Sequence, residues 1–151
     1  MPKLLTCVPC LKGINGDDGL LTIVSVLEFV RITTPPDATL PEGNAVIDLQ
    51  WQLVSLWYQE PEDAGKQFVQ TVEIFLPDGA RFLSGTFPID LSNRTSRVKI
   101  DGRVFPIGIA GEVVISVGYV QVGTTEAREQ VRYPVLVEHV AQEPAGSTPD
   151  H

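Results

Sequence analysis

The sequence predicts an all-β domain, a two-sheet antiparallel β-sandwich of about eight strands. Three observations carry this. Ile47, Leu49, Trp51, Leu53 and Trp57 occupy alternate positions, with Asp48, Gln50 and Gln52 between them; that is the period-2 pattern of a strand with one buried face. Val72, Ile74 and Leu76 alternate against Thr71 and Glu73 and run into Pro77-Asp78-Gly79, after which Arg81-Phe82-Leu83 begins a return. Proline sets φ and glycine closes the loop of such a hairpin. Twelve prolines and thirteen glycines punctuate the chain, as short strands joined by turns require.

In chain order, residues 3–8 read as a short first strand. Residues 11–19 hold three glycines, Asn15 and the pair Asp17-Asp18, the composition of a loop. Residues 20–32 form the most apolar run. Their β-branched content favours strand over helix. Apolar residues at both parities imply a central strand covered on both sides, or one that bends between sheets. Thr33-Thr34-Pro35-Pro36-Asp37 ends it, because proline donates nothing to a ladder.

After the strand around Trp51, residues 60–65 are an acidic connection, and the Val72 hairpin comes next. Residues 90–96 are polar, a loop or one short helical turn; Asn93-Arg94-Thr95 within them is read as polar loop rather than a glycosylation site. Ile100-Asp101-Gly102-Arg103 has the form of a two-residue hairpin turn between short flanks. Residues 111–122 are another strand, with Val113, Ile115, Val117 and Tyr119 on one side. The last strand spans residues 131–137, and Pro134 places it at an edge or a bulge. One domain over residues 1–140 is expected, with a disordered tail over 141–151, where only alanines remain to be buried. Shared parity predicts a core of Leu49, Trp51, Leu53, Val72, Ile74, Val113, Ile115, Val117 and Val135.

A first strand, a loop closing on Asp18-Gly19, the run Leu20-Leu21-Thr22-Ile23-Val24-Ser25-Val26-Leu27, a Pro-Asp-Gly hairpin, a strand opening at Gly111 and a closing Tyr133-Pro134-Val135-Leu136-Val137 succeed one another. This ordering resembles a bacterial family of small β-sandwich proteins of unknown function, over most of residues 3–140. The resemblance implies the sandwich fold and brings no established catalytic residues.

The formal net charge is −8 and the pI about 4.6. An acidic surface repels phosphates and anionic lipid, so neither nucleic acid nor membrane is expected as a partner. No secretory signal is visible, and no run approaches the about 20 apolar residues of a membrane span. A cytoplasmic protein is expected.

Cys7-Val8-Pro9-Cys10 is the one motif with a reactive reading, as a redox pair or as half of a zinc site. A redox pair wants a helix after Cys10, but Gly13 and Gly16 come next; zinc wants further ligands, and beyond carboxylates there are only His139 and His151. Cys7 and Cys10 are therefore expected as small packed residues, and no cofactor or metal is expected. The conformation after Cys10 discriminates between these readings: a helix favours redox, a continuing strand or glycine loop favours packing. Asp17-Asp18 and Glu60-Pro61-Glu62-Asp63 lack the alternating spacing of a calcium loop and read as solvated turns.

Arg94, Arg97, Lys99 and Arg103 place four of the eleven basic residues within ten positions. They are the candidate binding residues, a patch for an acidic partner or a second copy, or else charges that guard an edge hairpin. His139 is expected on the surface, since no nucleophile elbow accompanies it. Trp51 and Trp57 would stack a sugar if exposed, but alternation assigns Trp51 to the core. The functional expectation is a non-catalytic binding or protein-interaction module, not an enzyme. Its alternatives are a redox or metal protein using Cys7 and Cys10, and a small-ligand, sugar-like binder with a cavity between the sheets.

Overall fold

The computed structural model describes residues 1–142. Among them run nine strands: β1 (Lys3–Asn15), β2 (Leu21–Val26), β3 (Phe29–Thr34), β4 (Val46–Tyr58), β5 (Phe68–Phe75), β6 (Arg81–Ile89), β7 (Thr95–Pro106), β8 (Gly111–Gln121) and β9 (Ala127–Ala141). They form a two-sheet sandwich, with the strands ordered β2-β1-β4-β7 in one sheet and β3-β9-β8-β5-β6 in the other. Neighbours are antiparallel except β3 and β9, which pair in parallel from Phe29–Leu136 to Thr34–Ala141. No helix among the described residues is long and apolar enough to cross a membrane.

The core is where the alternation places it. Trp51, Leu53 and Trp57 of β4 join Val72 and Ile74 of β5, Val113, Ile115 and Val117 of β8, and Val135 of β9 in one buried cluster; Leu49 packs half-buried against it. Trp57 is fully buried, and its indole N–H donates to Gln70 Oε1 at 2.7 Å. Tyr119 stands edge-on to both Trp57 and Phe68, at centroid distances of 5.9 and 5.8 Å. Such edge-to-face pairs add about 0.5–1.5 kcal/mol each beyond the buried area.

Three expectations change. The run 20–32 is two strands, β2 at the edge of one sheet and β3 at the edge of the other. Between them Leu27 is buried and donates its N–H to Pro9 O at 2.8 Å, and near the end of β2 Ser25 takes φ 54°. Apolar residues at both parities thus serve two sheets in turn: of the two alternatives the run that bends between sheets holds, as two strands rather than one, and the central strand covered on both faces does not. Residues 11–15 are strand, not loop: β1 continues to Asn15, and only the turn 16–20 is irregular, closed by Gly16 N–H to Leu20 O at 2.8 Å.

The expected hairpin at Asp101-Gly102 is absent, because β7 runs unbroken along β4 from Thr95–Tyr58 to Pro106–Val46, with one register shift between Asp48 and Trp51. Gly102 lies opposite Trp51, and a Cβ there would overlap the indole ring. The glycine makes room for a tryptophan rather than for a turn. At the C-terminal end, Ala141 closes β9 and Gln142 donates its N–H to Thr34 O at 2.8 Å; the rest of the expected tail lies outside the described residues.

Candidate functional site

β1 last pairs with β4 at Cys10–Gln52. Beyond that point it carries β2 over the outer face of the sheet, above Val54, which is fully buried. Gly13 is the point of closest approach: a Cβ on it would stand 2.8 Å from Val54 Cγ2. Its N–H donates to Gln52 Oε1 at 2.7 Å, and Gln52 Nε2 in turn donates to Asp101 Oδ1 at 2.8 Å.

The candidate cations act on this same hairpin. Lys99 Nζ donates to Gly13 O at 3.0 Å. Arg97 donates to Asn15 Oδ1 at 2.9 Å and to Gly19 O at 2.6 Å. Arg94 places its guanidinium 5.4 Å above the Tyr58 ring, and Arg103 is exposed farther along β7. The structure therefore brings Arg97 and Lys99 together as a clasp on the β1–β2 hairpin, while Arg94 and Arg103 stand apart from it. Composition holds no hint of the clasp, since its acceptors include main-chain carbonyls.

Reversing both clasp residues, Arg97→Glu with Lys99→Glu, is expected to loosen that hairpin while the rest of the sandwich stays folded. Charge-assisted bonds of this kind contribute about 1.5–3 kcal/mol, and exposure of Arg97 sets the effect near the lower figure. Hydrogen exchange at the β1–β2 amides from Gly13 to Ile23 should accelerate about tenfold, the equivalent of about 1.4 kcal/mol. Unchanged exchange there would refute the clasp.

The other edge of this sheet is β2. Of the four edge strands among the described residues, it alone has neither a charge nor a proline. β7 carries Arg97, Lys99, Asp101 and Arg103; β6 carries Arg81 and Pro88. β3 carries Arg31, which pairs with Glu138 at 2.9 Å. On and beside β2, Leu20, Val24 and Val26 are 65%, 38% and 46% exposed, and Leu11 and Ile14 of β1 add to the apolar surface. Natural edges are blunted by charge or proline; this one is open.

Cys7 and Cys10 pair with Ser55 and Gln52 in continuous register, and a three-residue step along a strand turns two side chains to opposite faces. Cys7 belongs to the core between the sheets, where the Ser55 hydroxyl donates to its sulfur at 3.5 Å. Cys10 is buried outside that cluster. Both are free thiols. Burial raises the Cys7 thiol above its ordinary value, opposed by the Ser55 bond; burial likewise raises Cys10, opposed by the Lys12 N–H and by Lys99. After Cys10 the strand continues.

Among the described residues no three Cys, His, Asp or Glu side chains gather as a metal site would require. Asp18 Oδ1 accepts the Leu20 N–H at 2.9 Å and so shapes the β1–β2 turn. In the other acidic stretch Asp63 is buried, accepts the Glu60 N–H at 3.0 Å and pairs with the Met1 ammonium at 2.7 Å. Burial works against that ammonium, but the carboxylates of Asp63 and Glu62 hold its pKa up at about 10.

His139, expected on the surface, is half-buried in β9 with Nε2 2.5 Å from Ile107 O. A histidine near the end of a strand gives no sign of which loop will cover it. Both tryptophans are buried, and Trp51 donates to Val104 O at 3.0 Å with its ring against Phe105. Neither presents an open indole face to a sugar. Comparison with protein-family models and with curated proteins finds no match.

Proposed function

We propose that this protein is a non-catalytic, cytoplasmic protein-interaction module that associates by strand pairing at β2, its partner being a second copy. The observation behind this reading is the uncharged free edge of β2. Antiparallel pairing of one strand with itself about a two-fold axis is self-complementary. Centred on Val24, it would join two four-stranded sheets into one and cover Val24 and Val26 of both copies. At a net charge of −8, two copies repel each other over most of their surface, and an uncharged edge is where that repulsion is least.

Arg97 and Lys99 support this function indirectly, by holding the hairpin that presents β2. Arg94 and Arg103 remain candidates for contact with acidic groups of a partner. The likeness to small bacterial β-sandwich proteins belongs to the same reading, as do the absence of a cofactor and of nucleic acid or membrane as partners.

Val24→Lys tests it. Lysines facing each other across a two-fold strand pair repel, and like charges directly opposite destabilise a ladder. Sedimentation velocity should find the unaltered protein dimeric and the variant monomeric, with the dimer weakened about tenfold or more, since an exposed substitution leaves the fold intact. A protein that is monomeric at its highest attainable concentration, or a variant that associates unchanged, would refute the proposal.

A further inference from the structure

The two long sides of the sandwich are closed differently. On one side the chain itself crosses between the sheets through the buried Leu27. On the other, β6 and β7 are both edge strands, and between them a cleft of about 110 Å³ enters the core. Leu53, Val72 and Ile74 lie at its buried end, with Ile100, Phe87 and Leu83 nearer the surface.

Two glycines line it. Gly85 of β6 stands opposite Val72, and Gly102 of β7 opposite Trp51. Gly102 is explained by the indole that fills its side-chain space. Gly85 is less crowded: its φ is outside the left-handed region, and a Cβ on it would press on the Phe87 ring at 3.2 Å, a tight contact with one side chain where a Cβ on Gly102 would overlap the indole outright. Glycine inside a strand costs stability and frequently marks a place where something approaches closely. Leu83 supplies a second sign. Its register partner is the buried Ile74, which puts it on the core-facing side, yet it is 54% exposed at the mouth of the cleft.

We propose that this cleft binds a compact apolar ligand, a single aromatic ring or a short branched hydrocarbon. Apolar cavities of about 150 Å³ stay dry and take benzene, and this one is of that order. Ser84 and Asp101 border it, but their register partners are Glu73 and Gln52 on the outward-facing parity, and Asp101 is bonded to Gln52 there. The interior therefore offers no charged side chain to a polar ligand. Binding here is independent of association at β2, which lies at the opposite edge of its sheet.

Methyl resonances of the full chain, recorded during titration with benzene, test this. Saturable shifts should fall on Leu53, Val72, Ile74, Leu83 and Ile100, and xenon should move the same methyls. Gly85→Val, which fills the cleft from an extended backbone, should weaken benzene binding about tenfold or more while sedimentation stays as in the unaltered protein. Shifts that do not saturate, shifts centred elsewhere in the core, or a Gly85→Val protein that binds as well would each overturn the proposal. Should Gly85→Val fail to fold, the unaltered protein still decides: no saturable shift at those methyls with either probe refutes it.

Discussion

Trp57→Ala is expected to lower stability by about 5 kcal/mol, enough to unfold a domain of ordinary stability. Removing a large buried aromatic costs about 3–5 kcal/mol through lost transfer energy and the cavity left behind. Here a polar loss adds to it. Gln70 is fully buried, its Nε2 is without a partner, and its Oε1 depends on the Trp57 indole N–H. Truncation leaves both ends of that amide unsatisfied in the core, and an orphaned buried acceptor costs about 1–3 kcal/mol more. Tyr119 also loses one of its two edge-on neighbours. Urea titration should show a lower midpoint at unchanged slope, and Trp57→Phe should recover about half of the loss by restoring volume without the donor. A loss below about 2 kcal/mol for the alanine variant would mean that the site collapses around the gap and Gln70 finds another partner.

Trp51 and Gly102 are expected to be strongly coupled. Trp51→Ala alone should cost about 3–5 kcal/mol, since the ring is buried against Phe105 and bonded to Val104 O. Gly102→Ala alone should cost about 2–3 kcal/mol, because its new methyl overlaps the indole and overpacking forces strain into the ring or the β7 backbone. With the indole gone that overlap disappears. The double variant should then be no less stable than Trp51→Ala, giving a coupling of about 2 kcal/mol in a double-mutant cycle. Additivity within about 0.5 kcal/mol would show that Gly102 serves some purpose other than clearing space for Trp51.

Asp101-Gly102 shows how a sound local rule fails. The dipeptide suits a tight turn, but β4 offers partners on both sides of it, from Trp51 to Tyr58 and, past a register shift, from Val46 to Asp48, and a strand bonded over most of its length gains more than one turn can supply. In the candidate site the basic cluster was legible as a cluster but not as a clasp. Arg97 reaches Asn15 and Gly19, which lie 82 and 78 residues away along the chain, and Lys99 reaches Gly13 across 86. Contacts of that span leave no periodic trace in either segment.

Local patterning is enough to make the domain all-β, to locate its hydrophobic core, and to turn one face of β4, β5 and β8 inward. These properties come from the two-residue repeat of a strand, which is written in each segment separately and needs no knowledge of its neighbours. It took the assembled fold to split residues 20–32 between two sheets, to join β3 to β9 in parallel, to fold the end of β1 over β4, and to set which four strands are edges. Each of those is a choice among pairings of similar local energy. It is settled by the packing of distant segments and by the closure of loops between them, costs to which no single stretch of residues holds the key.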